Sequence, residues 1–427
     1  MFNKVKDASI TKDATQLREQ FERLMFELGL LNKFNQTYGL YIQSKTNYGY
    51  YAKLYLRPGL SFTKLQDYTG IIQENLKCLW IMQTEQMREY ADVQIVTVAM
   101  DPYREYKNPE IKPWEMYMGV DFCNKPIINN NNRYCMYLIG GATGSGKTCF
   151  ILMLIMSWVL SCAVNEVEIY LCDIAKNEYN YLMYLKHVKC YINDTEQLYM
   201  AMKYLEHKIE KRKRVISKAR EEGWATNIEE YNKASKNKLS YCYLIIDECS
   251  VLMPDKTDNK EETEQKQYSL DMLKRISKIG RSLGIFCINA TQKTTRDEIP
   301  AIIKNMSAVR ISFRANDRVS SEVIMGDHSA VGLSPRYAVY STNGGERQDY
   351  LYSPYISTEM LNKFIRENED KKHNKLDLEA ELSAIEEAKS KPPKSVHSQK
   401  KKKEKDSPSK IYDDDFMQVS GGDYIDY

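Results

Sequence analysis

The feature that constrains this chain most is a glycine-rich turn between two apolar segments. The turn follows Tyr137-Leu-Ile139, precedes Cys149-Phe-Ile-Leu-Met-Leu-Ile-Met, and reads Gly141-Ala-Thr-Gly-Ser-Gly146-Lys147-Thr148. A short apolar run is typical of a buried strand and a longer one is typical of a buried helix. Glycine permits the backbone torsions of a tight loop between them. The stretch therefore predicts a strand, a glycine loop and a helix in succession.

This loop has the spacing of a phosphate-binding site. Consecutive backbone N–H groups of such a loop turn toward one point at the N-terminus of the following helix, where an anion is favoured. Lys147 is placed to reach the β- and γ-phosphates of a nucleotide, and the Thr148 hydroxyl is placed to hold Mg²⁺. We therefore expect ATP and Mg²⁺ to be bound by the residues Gly141, Ala142, Thr143, Gly144, Ser145, Gly146, Lys147 and Thr148.

A second stretch supplies the acids that hydrolysis requires. Leu244-Ile-Ile-Asp247-Glu248 reads as an aliphatic strand that ends in two adjacent carboxylates. Nucleotide hydrolysis needs a carboxylate that holds the metal and a group that orients water. The pattern predicts that Asp247 joins Thr148 in holding Mg²⁺ and that Glu248 polarises the attacking water. Gln292, at the end of the next apolar run, is a candidate for sensing the γ-phosphate.

Short apolar runs alternate with helical segments through the middle of the chain. They cover residues 137–139, 167–173, 239–247, 284–290 and 308–313. Such alternation predicts an α/β fold with a mostly parallel sheet that is covered on both faces. We expect this core to span residues 109–355, with a connector at its start marked by Pro109 and Pro113 and a polar turn at residues 129–132.

Different patterns flank this core. Residues 1–108 predict a small α/β domain, with an amphipathic helix over 15–34, a hairpin over 39–57, a helix near 63–83 and a strand near 93–99. This part shows no catalytic constellation. Residues 366–427 are dominated by Lys, Glu, Ser and Asn and include a lysine run at 400–403, which predicts a charged, disordered tail with a short helix near 376–388.

Composition and charge narrow the class of protein. The net charge of +3 is too small to indicate a nucleic-acid partner by itself, and the charged segment 204–238 is more typical of a solvated helix than of a DNA-contacting face. The ten cysteines form no C-x-x-C pair, and the N-terminus lacks the apolar core of a signal peptide. The longest apolar stretch, residues 149–164, is shorter than a spanning helix of ~20 residues. We expect a cytoplasmic protein without its own transmembrane segment, which would reach a membrane only through a partner.

Six motifs in order carry a family resemblance. They are Gly140-Gly-Ala-Thr-Gly-Ser-Gly-Lys-Thr148, the strand end with Asp173 and Lys176, Ile245-Ile-Asp-Glu248, Ile279-Gly-Arg281-Ser-Leu-Gly-Ile285, Ala290-Thr-Gln-Lys293, and Ile302-Ile-Lys-Asn-Met-Ser-Ala-Val-Arg310-Ile-Ser-Phe-Arg314. Over residues 110–345 this series resembles the FtsK/SpoIIIE DNA translocases, and most of all the coupling-protein ATPases of Gram-positive conjugative elements. The family's Gly-Arg-Gly-Asp stretch is replaced here by Leu333-Ser-Pro-Arg-Tyr337, and its Asp-Pro-Lys-Gly motif by Asp173-Ile-Ala-Lys176-Asn.

The resemblance implies a RecA-like P-loop ATPase that assembles into a ring, usually a homo-hexamer, and moves double-stranded DNA through its centre. It makes Arg281, Arg310 and Arg314 candidates for the arginine that completes a neighbour's site. An arginine supplied in this way can be worth about 10³- to 10⁵-fold in rate. The sequence leaves open which of the three does so, and whether residues 1–108 dock the motor on a membrane or relaxase partner or only stabilise the ring.

Several functions remain compatible with these motifs. A DNA motor that serves transfer of a mobile element is our first hypothesis. A protein-secretion ATPase of the type VII kind ranks lower, because such proteins usually carry several ATPase modules in tandem. Packaging or partition of viral or plasmid DNA would use the same kind of ATPase. A module that binds nucleotide without hydrolysis is disfavoured by the presence of Lys147, Asp247 and Glu248 together.

Overall fold

The computed structural model describes residues 12–46, 48–84, 87–98, 104–122, 124–292, 299–342, 347–372 and 375–390. Lys293 of the fifth motif and the lysine run at 400–403 lie outside these ranges. The helices are α1 (Lys12–Glu27), α2 (Phe62–Gln66), α3 (Thr69–Leu76), α4 (Lys147–Ser161), α5 (Thr195–Glu221), α6 (Ile228–Ala234), α7 (Lys260–Leu283), α8 (Ala301–Met306), α9 (Arg318–Met325), α10 (Thr358–Asn368) and α11 (Leu378–Ser390). The strands are β1 (Gly39–Thr46), β2 (Gly49–Tyr55), β3 (Leu79–Gln83), β4 (Tyr90–Val96), β5 (Glu115–Val120), β6 (Pro126–Asn130), β7 (Met136–Gly140), β8 (Val167–Cys172), β9 (Val188–Ile192), β10 (Tyr241–Ile246), β11 (Ile285–Thr291), β12 (Val309–Phe313), β13 (Tyr337–Thr342) and β14 (Arg347–Tyr352).

The first part of the chain forms a small antiparallel sheet with helices on it. Its four strands lie in the order β1-β2-β4-β3. Helix α1 packs against this layer, where Phe21 stacks on Trp80 with ring centroids 5.0 Å apart. Aliphatic residues such as Leu54 and Val93 fill the space beneath the helix. The hairpin predicted over residues 39–57 is confirmed as β1 and β2.

Two helix predictions in this part were wrong in extent. The helix over 15–34 ends at Glu27, because Gly29 adopts a left-handed φ of +65° that stops it. The helix near 63–83 is instead α2, α3 and strand β3. Lys77, at φ +49°, ends α3, and the apolar residues after it pair with β4. A run such as Leu79-Trp-Ile-Met suits either element, and pairing with a neighbouring strand decides it.

A ten-stranded sheet forms the larger part of the molecule, in the order β6-β5-β14-β13-β12-β7-β11-β10-β8-β9. From β12 to β9 all neighbouring strands are parallel, which confirms the predicted mostly parallel sheet. From β12 to β6 the neighbours are antiparallel. β5 and β6 lie in the stretch that the sequence assigns to a connector, so this stretch is part of the sheet.

The central strands are covered on both faces. Every residue of β7, β10 and β11 is buried, as expected for parallel strands between layers of helices. Helix α4 packs against β5, where Trp158 Nε1 donates to the Glu115 carbonyl at 2.7 Å. Helix α7 packs against β11 and α5. The sheet is therefore a rigid platform whose strand ends can hold side chains in fixed positions.

The charged segment 204–238 is not a single solvated helix. Helix α5 ends at Glu221, and α6 follows after Gly223. Two of its basic residues contact other elements, and of these Arg212 is buried and Lys208 is partly buried. Arg212 Nη1 donates to the Leu283 carbonyl at 2.7 Å, and Lys208 pairs with Glu168. These two charges hold α5 on the sheet.

The chain after residue 366 contributes to the fold further than the sequence indicates. Helix α11 packs on α5, and its residues Leu378 and Ile385 are buried. Lys375 Nζ donates to the carbonyls of Leu185 and Val188 at 2.9 Å each. Burial lowers the pKa of Lys375 to about 8. The predicted short helix near 376–388 is confirmed, and residues 391–427 lie outside the described ranges.

In the part of the chain that the structure describes, no helix combines the length and the apolar character that crossing a membrane requires.

Candidate nucleotide-binding site

The order of the strands brings the predicted site residues to one edge of the large sheet. Strand β11 lies between β7, which leads into the glycine loop, and β10, which ends just before Asp247. Because these strands are parallel, their carboxyl ends meet at the same edge. Thr291 and Gln292, at the end of β11, therefore lie between the glycine loop and the two acids.

The loop depends on glycine for two separate reasons. Gly144 and Gly146 have φ values of +73° and +111°, in the region that favours glycine. Gly141 is needed for space, since a Cβ there would stand 2.6 Å from Ser145 Oγ and 2.7 Å from Phe313 Cβ. Ala142 N donates to the carbonyl of Arg314 at 3.0 Å, which ties the loop to the end of β12.

Lys147 and Asp247 form a buried ion pair. Lys147 Nζ donates to Asp247 Oδ1 at 2.7 Å and to the Asp247 carbonyl at 2.9 Å. Both side chains are only 2% exposed. Two buried charges of opposite sign tolerate loss of water only when they are closely paired. A bound triphosphate would offer Lys147 a second partner, and the pair would open.

Thr148 is held by a carboxylate that the sequence does not single out. Its hydroxyl donates to Glu178 Oε2 at 3.1 Å. Next to it, the hydroxyl of the fully buried Tyr179 donates to Asp247 Oδ1 at 3.3 Å. Burial, with the Asp247 charge, raises the pKa of Tyr179 well above its ordinary value, so this hydroxyl stays protonated as a donor. Thr148 and Asp247 are thus oriented by their neighbours.

Glu248 is held at several points. Its Oε1 accepts from Thr291 Oγ1 at 2.6 Å and from Ser250 Oγ at 2.9 Å. Its Oε2 accepts from the backbone N–H of Gln292 at 2.9 Å. The side chain is almost fully buried. Hydrogen bonds to both of its oxygens fix the orientation of this carboxylate.

Gln292 connects this acid to the glycine loop. Its side-chain oxygen accepts from Thr143 Oγ1 at 3.1 Å, while its backbone N–H binds Glu248. A γ-phosphate in the loop would lie beside both contacts. The position fits the sensing role predicted for Gln292, which stays a prediction.

The three candidate arginines occupy different places. Arg281 lies in the last turn of α7 and is exposed. It precedes the start of β11, so the length of a seven-residue strand, roughly 20 Å, separates it from the chain's own loop. Arg310 lies on β12, where burial lowers its pKa and its Nη2 donates to the Lys304 carbonyl at 3.1 Å. Arg314 follows β12 directly beside the loop. The structure does not gather these three residues at one point.

The residues at this edge fit a magnesium ion that is bound together with a nucleotide. Mg²⁺ takes oxygen ligands and is usually held by one or two carboxylates plus substrate phosphates. The Thr148 hydroxyl and the Asp247 carboxylate have this chemistry. Among the described residues no group of three or more His, Cys, Asp or Glu side chains could hold a metal alone.

Sequence reasoning missed two residues at this edge, Glu178 and Arg336. Glu178 follows the Asp173/Lys176 strand end by only a few residues, and Lys176 Nζ lies 3.5 Å from its Oε1. That short spacing was the available signal. Arg336 donates its backbone N–H to the Ser145 carbonyl at 2.8 Å. Nothing in its local sequence shows that it meets a loop almost two hundred residues earlier.

The sequence signature of the FtsK/SpoIIIE family matches residues 103–296, which include the glycine loop, both acids and Gln292. This stretch matches a domain of the FtsK/SpoIIIE family. The resemblance drawn from six motifs is confirmed, and the domain is that of an ATPase.

Curated relatives of the FtsK/SpoIIIE domain are named DNA translocase FtsK. The protein of Helicobacter pylori strain J99 is 25% identical over 262 residues, which are 59% of this chain and 29% of that protein. The protein of Sporosarcina ureae is 26% identical over 275 residues, 61% of this chain and 34% of that protein. The match therefore spans about a third of the length of these relatives.

Two solved structures share the fold. The pCW3 conjugation coupling protein TcpA, in its monomer form with ATPγS, has a TM-score of 0.56 and 17% identity, with 82% of this chain and 99% of that chain covered. The cytoplasmic domain of the Thermomonospora curvata type VII secretion ATPase EccC has a TM-score of 0.51 and 19% identity, with 66% and 34% covered. These likenesses confirm the α/β P-loop ATPase architecture that the sequence predicts.

Proposed function

We propose that this protein is an ATP-driven motor that moves double-stranded DNA in the transfer of a mobile element. The observation that carries the proposal is the FtsK/SpoIIIE domain in which the glycine loop, Asp247, Glu248 and Gln292 converge at one edge of the sheet. Relatives of this domain are named DNA translocases. The conjugative setting is supported by the likeness to a conjugation coupling protein along most of this chain.

The site residues divide the work of hydrolysis among them. Lys147 turns from Asp247 to the β- and γ-phosphates, while Thr148 and Asp247 hold Mg²⁺, which neutralises developing phosphate charge. Glu248 orients water against the γ-phosphate. The Gln292 side chain contacts Thr143 of the phosphate loop, and its backbone N–H binds Glu248. Loss of the γ-phosphate would therefore alter both contacts.

We propose that a ring of subunits, six by family resemblance, completes each site with an arginine from a neighbour. Arg281 is the best candidate, because it is exposed and about 20 Å from its own loop. Rings that mix Arg281→Ala with Glu248→Gln subunits should recover part of the turnover that each variant lacks alone, whereas a role within one subunit predicts no recovery.

The experiment that tests the motor is ATP hydrolysis by the full chain with and without long duplex DNA, across a salt series. Contacts to DNA phosphates release counterions, so stimulation should decline steeply as salt rises. Lys147→Ala should abolish both nucleotide binding and turnover. Glu248→Gln should bind ATP and hydrolyse it at least about a hundredfold more slowly.

Protein cargo is the second candidate function, supported by the likeness to a type VII secretion ATPase. ATP turnover that is unchanged by DNA but rises when a partner peptide binds would favour this function over DNA translocation. Packaging or partition of viral or plasmid DNA would use the same DNA-stimulated activity.

We further propose that residues 1–108, 109–355 and 366–427 are the three functional parts of the chain. The separate four-stranded sheet supports the first boundary. Limited proteolysis that cuts first within the ten-stranded sheet would contradict this division.

A further inference from the structure

Arg336 is fixed against the phosphate loop by its backbone. It belongs to the Leu333-Ser-Pro-Arg-Tyr337 stretch and donates its N–H to the Ser145 carbonyl at 2.8 Å. A Cβ on Gly146 would stand 3.1 Å from the Arg336 Cα, so the two backbones are nearly in contact. Arg336 itself has a φ of +72°, which a residue with a side chain rarely adopts. Strain of this kind persists only where surrounding contacts impose it, and it is common at ligand sites.

The side chain of Arg336 is also positioned. Its Cζ lies 4.4 Å from the ring centroid of Tyr355, so the guanidinium stacks on this ring. Its Nη1 is buried and has no hydrogen-bond partner among the described residues. A buried cationic donor without a partner is costly unless an anion meets it.

The two flanks of the loop face different ends of a nucleotide. On one flank, Thr143 contacts Gln292, and Gln292 contacts Glu248, where water would attack the γ-phosphate. Arg336 lies on the other flank, against Ser145 and Gly146. The loop holds the α- and β-phosphates between these two flanks. The flank of Arg336 is therefore the one that faces the nucleoside end.

We propose that Arg336 binds the α-phosphate of the nucleotide and that Tyr355 positions its guanidinium for this contact. The inference rests on the proposed nucleotide site. An α-phosphate contact is the same for ATP and ADP, so it contributes to holding the nucleotide through the whole hydrolysis cycle. A contact to the γ-phosphate would instead distinguish the two.

The test is the affinity of the full chain for ATPγS and for ADP, each measured by calorimetry with Mg²⁺ present. Arg336→Ala should weaken both by the same factor, about 10- to 100-fold for a lost charge-assisted contact. Arg336→Lys should recover part of both affinities. Arg133→Ala, an exposed arginine just before β7 at the opposite edge of the sheet, should change neither.

Three outcomes would overturn the inference. Unchanged affinities in Arg336→Ala would remove the contact, and a loss confined to ATPγS would move it to the γ-phosphate. Equal weakening in Arg336→Ala and Arg336→Lys, together with lower thermal stability of both without nucleotide, would make the role structural. If the unaltered chain binds neither nucleotide and matches Lys147→Ala, the proposed nucleotide site fails as well, so the two failures can be told apart.

Discussion

Hydrogen bonds to both oxygens of Glu248 hold this carboxylate in one orientation, and this has a testable consequence. Thr291→Val removes the 2.6 Å hydrogen bond to Oε1 and keeps the shape of the side chain. A hydrogen bond of this kind is worth roughly 1 kcal/mol, which corresponds to a change of about fivefold in rate. We expect Thr291→Val to lower ATP turnover without DNA by about that factor, because Glu248 is then less firmly oriented.

Thr291→Ser is the matched control for this prediction, because it keeps the hydroxyl and should leave turnover near that of the unaltered chain. Turnover in Thr291→Val that equals that of Thr291→Ser would show that this hydrogen bond does not orient Glu248 for hydrolysis. Steady-state hydrolysis at saturating ATP distinguishes the two.

Glu178 should set how readily Mg²⁺ binds with the nucleotide. By accepting the Thr148 proton, it leaves the hydroxyl oxygen directed toward the metal. Partners that orient a metal ligand typically change metal affinity by 10- to 100-fold when they are lost. For Glu178→Gln we expect about tenfold more Mg²⁺ to be needed for half-maximal binding of a fluorescent ATP analogue.

The control for this measurement is Glu196→Gln, which removes an exposed carboxylate from the first turn of α5. An unchanged magnesium requirement in Glu178→Gln would refute the assignment, and Glu178 would then only anchor the segment after β8.

At the scale of elements, the junction from α7 to β11 is packed closely around a glycine. A Cβ on Gly280 would stand 2.3 Å from the Ile285 carbonyl oxygen, whereas a Cβ on Gly70 in α3 would meet no atom within 4 Å. Overpacking costs about 1–3 kcal/mol, and replacing an uncrowded helical glycine by alanine gains about 0.5 kcal/mol. In urea, the unfolding midpoint of Gly280→Ala should lie below that of the unaltered chain, and the midpoint of Gly70→Ala should lie slightly above it. Equal midpoints for the two variants would contradict this account.

Which elements the sequence could predict follows from how local their signals are. The strands β7, β8, β10, β11 and β12 are continuous apolar runs, and their positions were predicted. β5 and β6 were missed, because Pro109 and Pro113 nearby suggested a connector and the pairing of β5 with β14 is long-range. The order of strands, with β11 between β7 and β10, is likewise set by packing and not by local pattern.

The same distinction applies to the site. Lys147, Asp247 and Glu248 belong to motifs with fixed spacing, so the sequence predicted that they meet, and the structure brings them together. Their catalytic roles stay predictions. Glu178 and Arg336 reach the site through packing of distant segments, which no single-sequence pattern reports.

At the scale of the whole molecule, α11 extends the fold beyond the ten-stranded sheet. Burial of Leu378 and Ile385 contributes about 1.5–3 kcal/mol for each side chain, and Lys375 adds two hydrogen bonds. Removing residues 373–427 should lower the free energy of unfolding by about 3–5 kcal/mol. Removing only residues 391–427 is the control for shortening the chain, and an equal loss in that variant would contradict a stabilising role of α11.

Strand β11 begins just after the turn that follows Arg281. At its other end, Thr291 and Gln292 donate hydrogen bonds to Glu248, and Gln292 also contacts the phosphate loop. A strand buried along its whole length lies in a close-packed interior that transmits strain, so a displacement at one end affects the other. In a ring, such a strand would couple the subunit interface at Arg281 mechanically to the catalytic edge of the sheet. A force that a neighbouring subunit exerts on Arg281 would then control when Glu248 and Gln292 are positioned for hydrolysis, without movement of a lid.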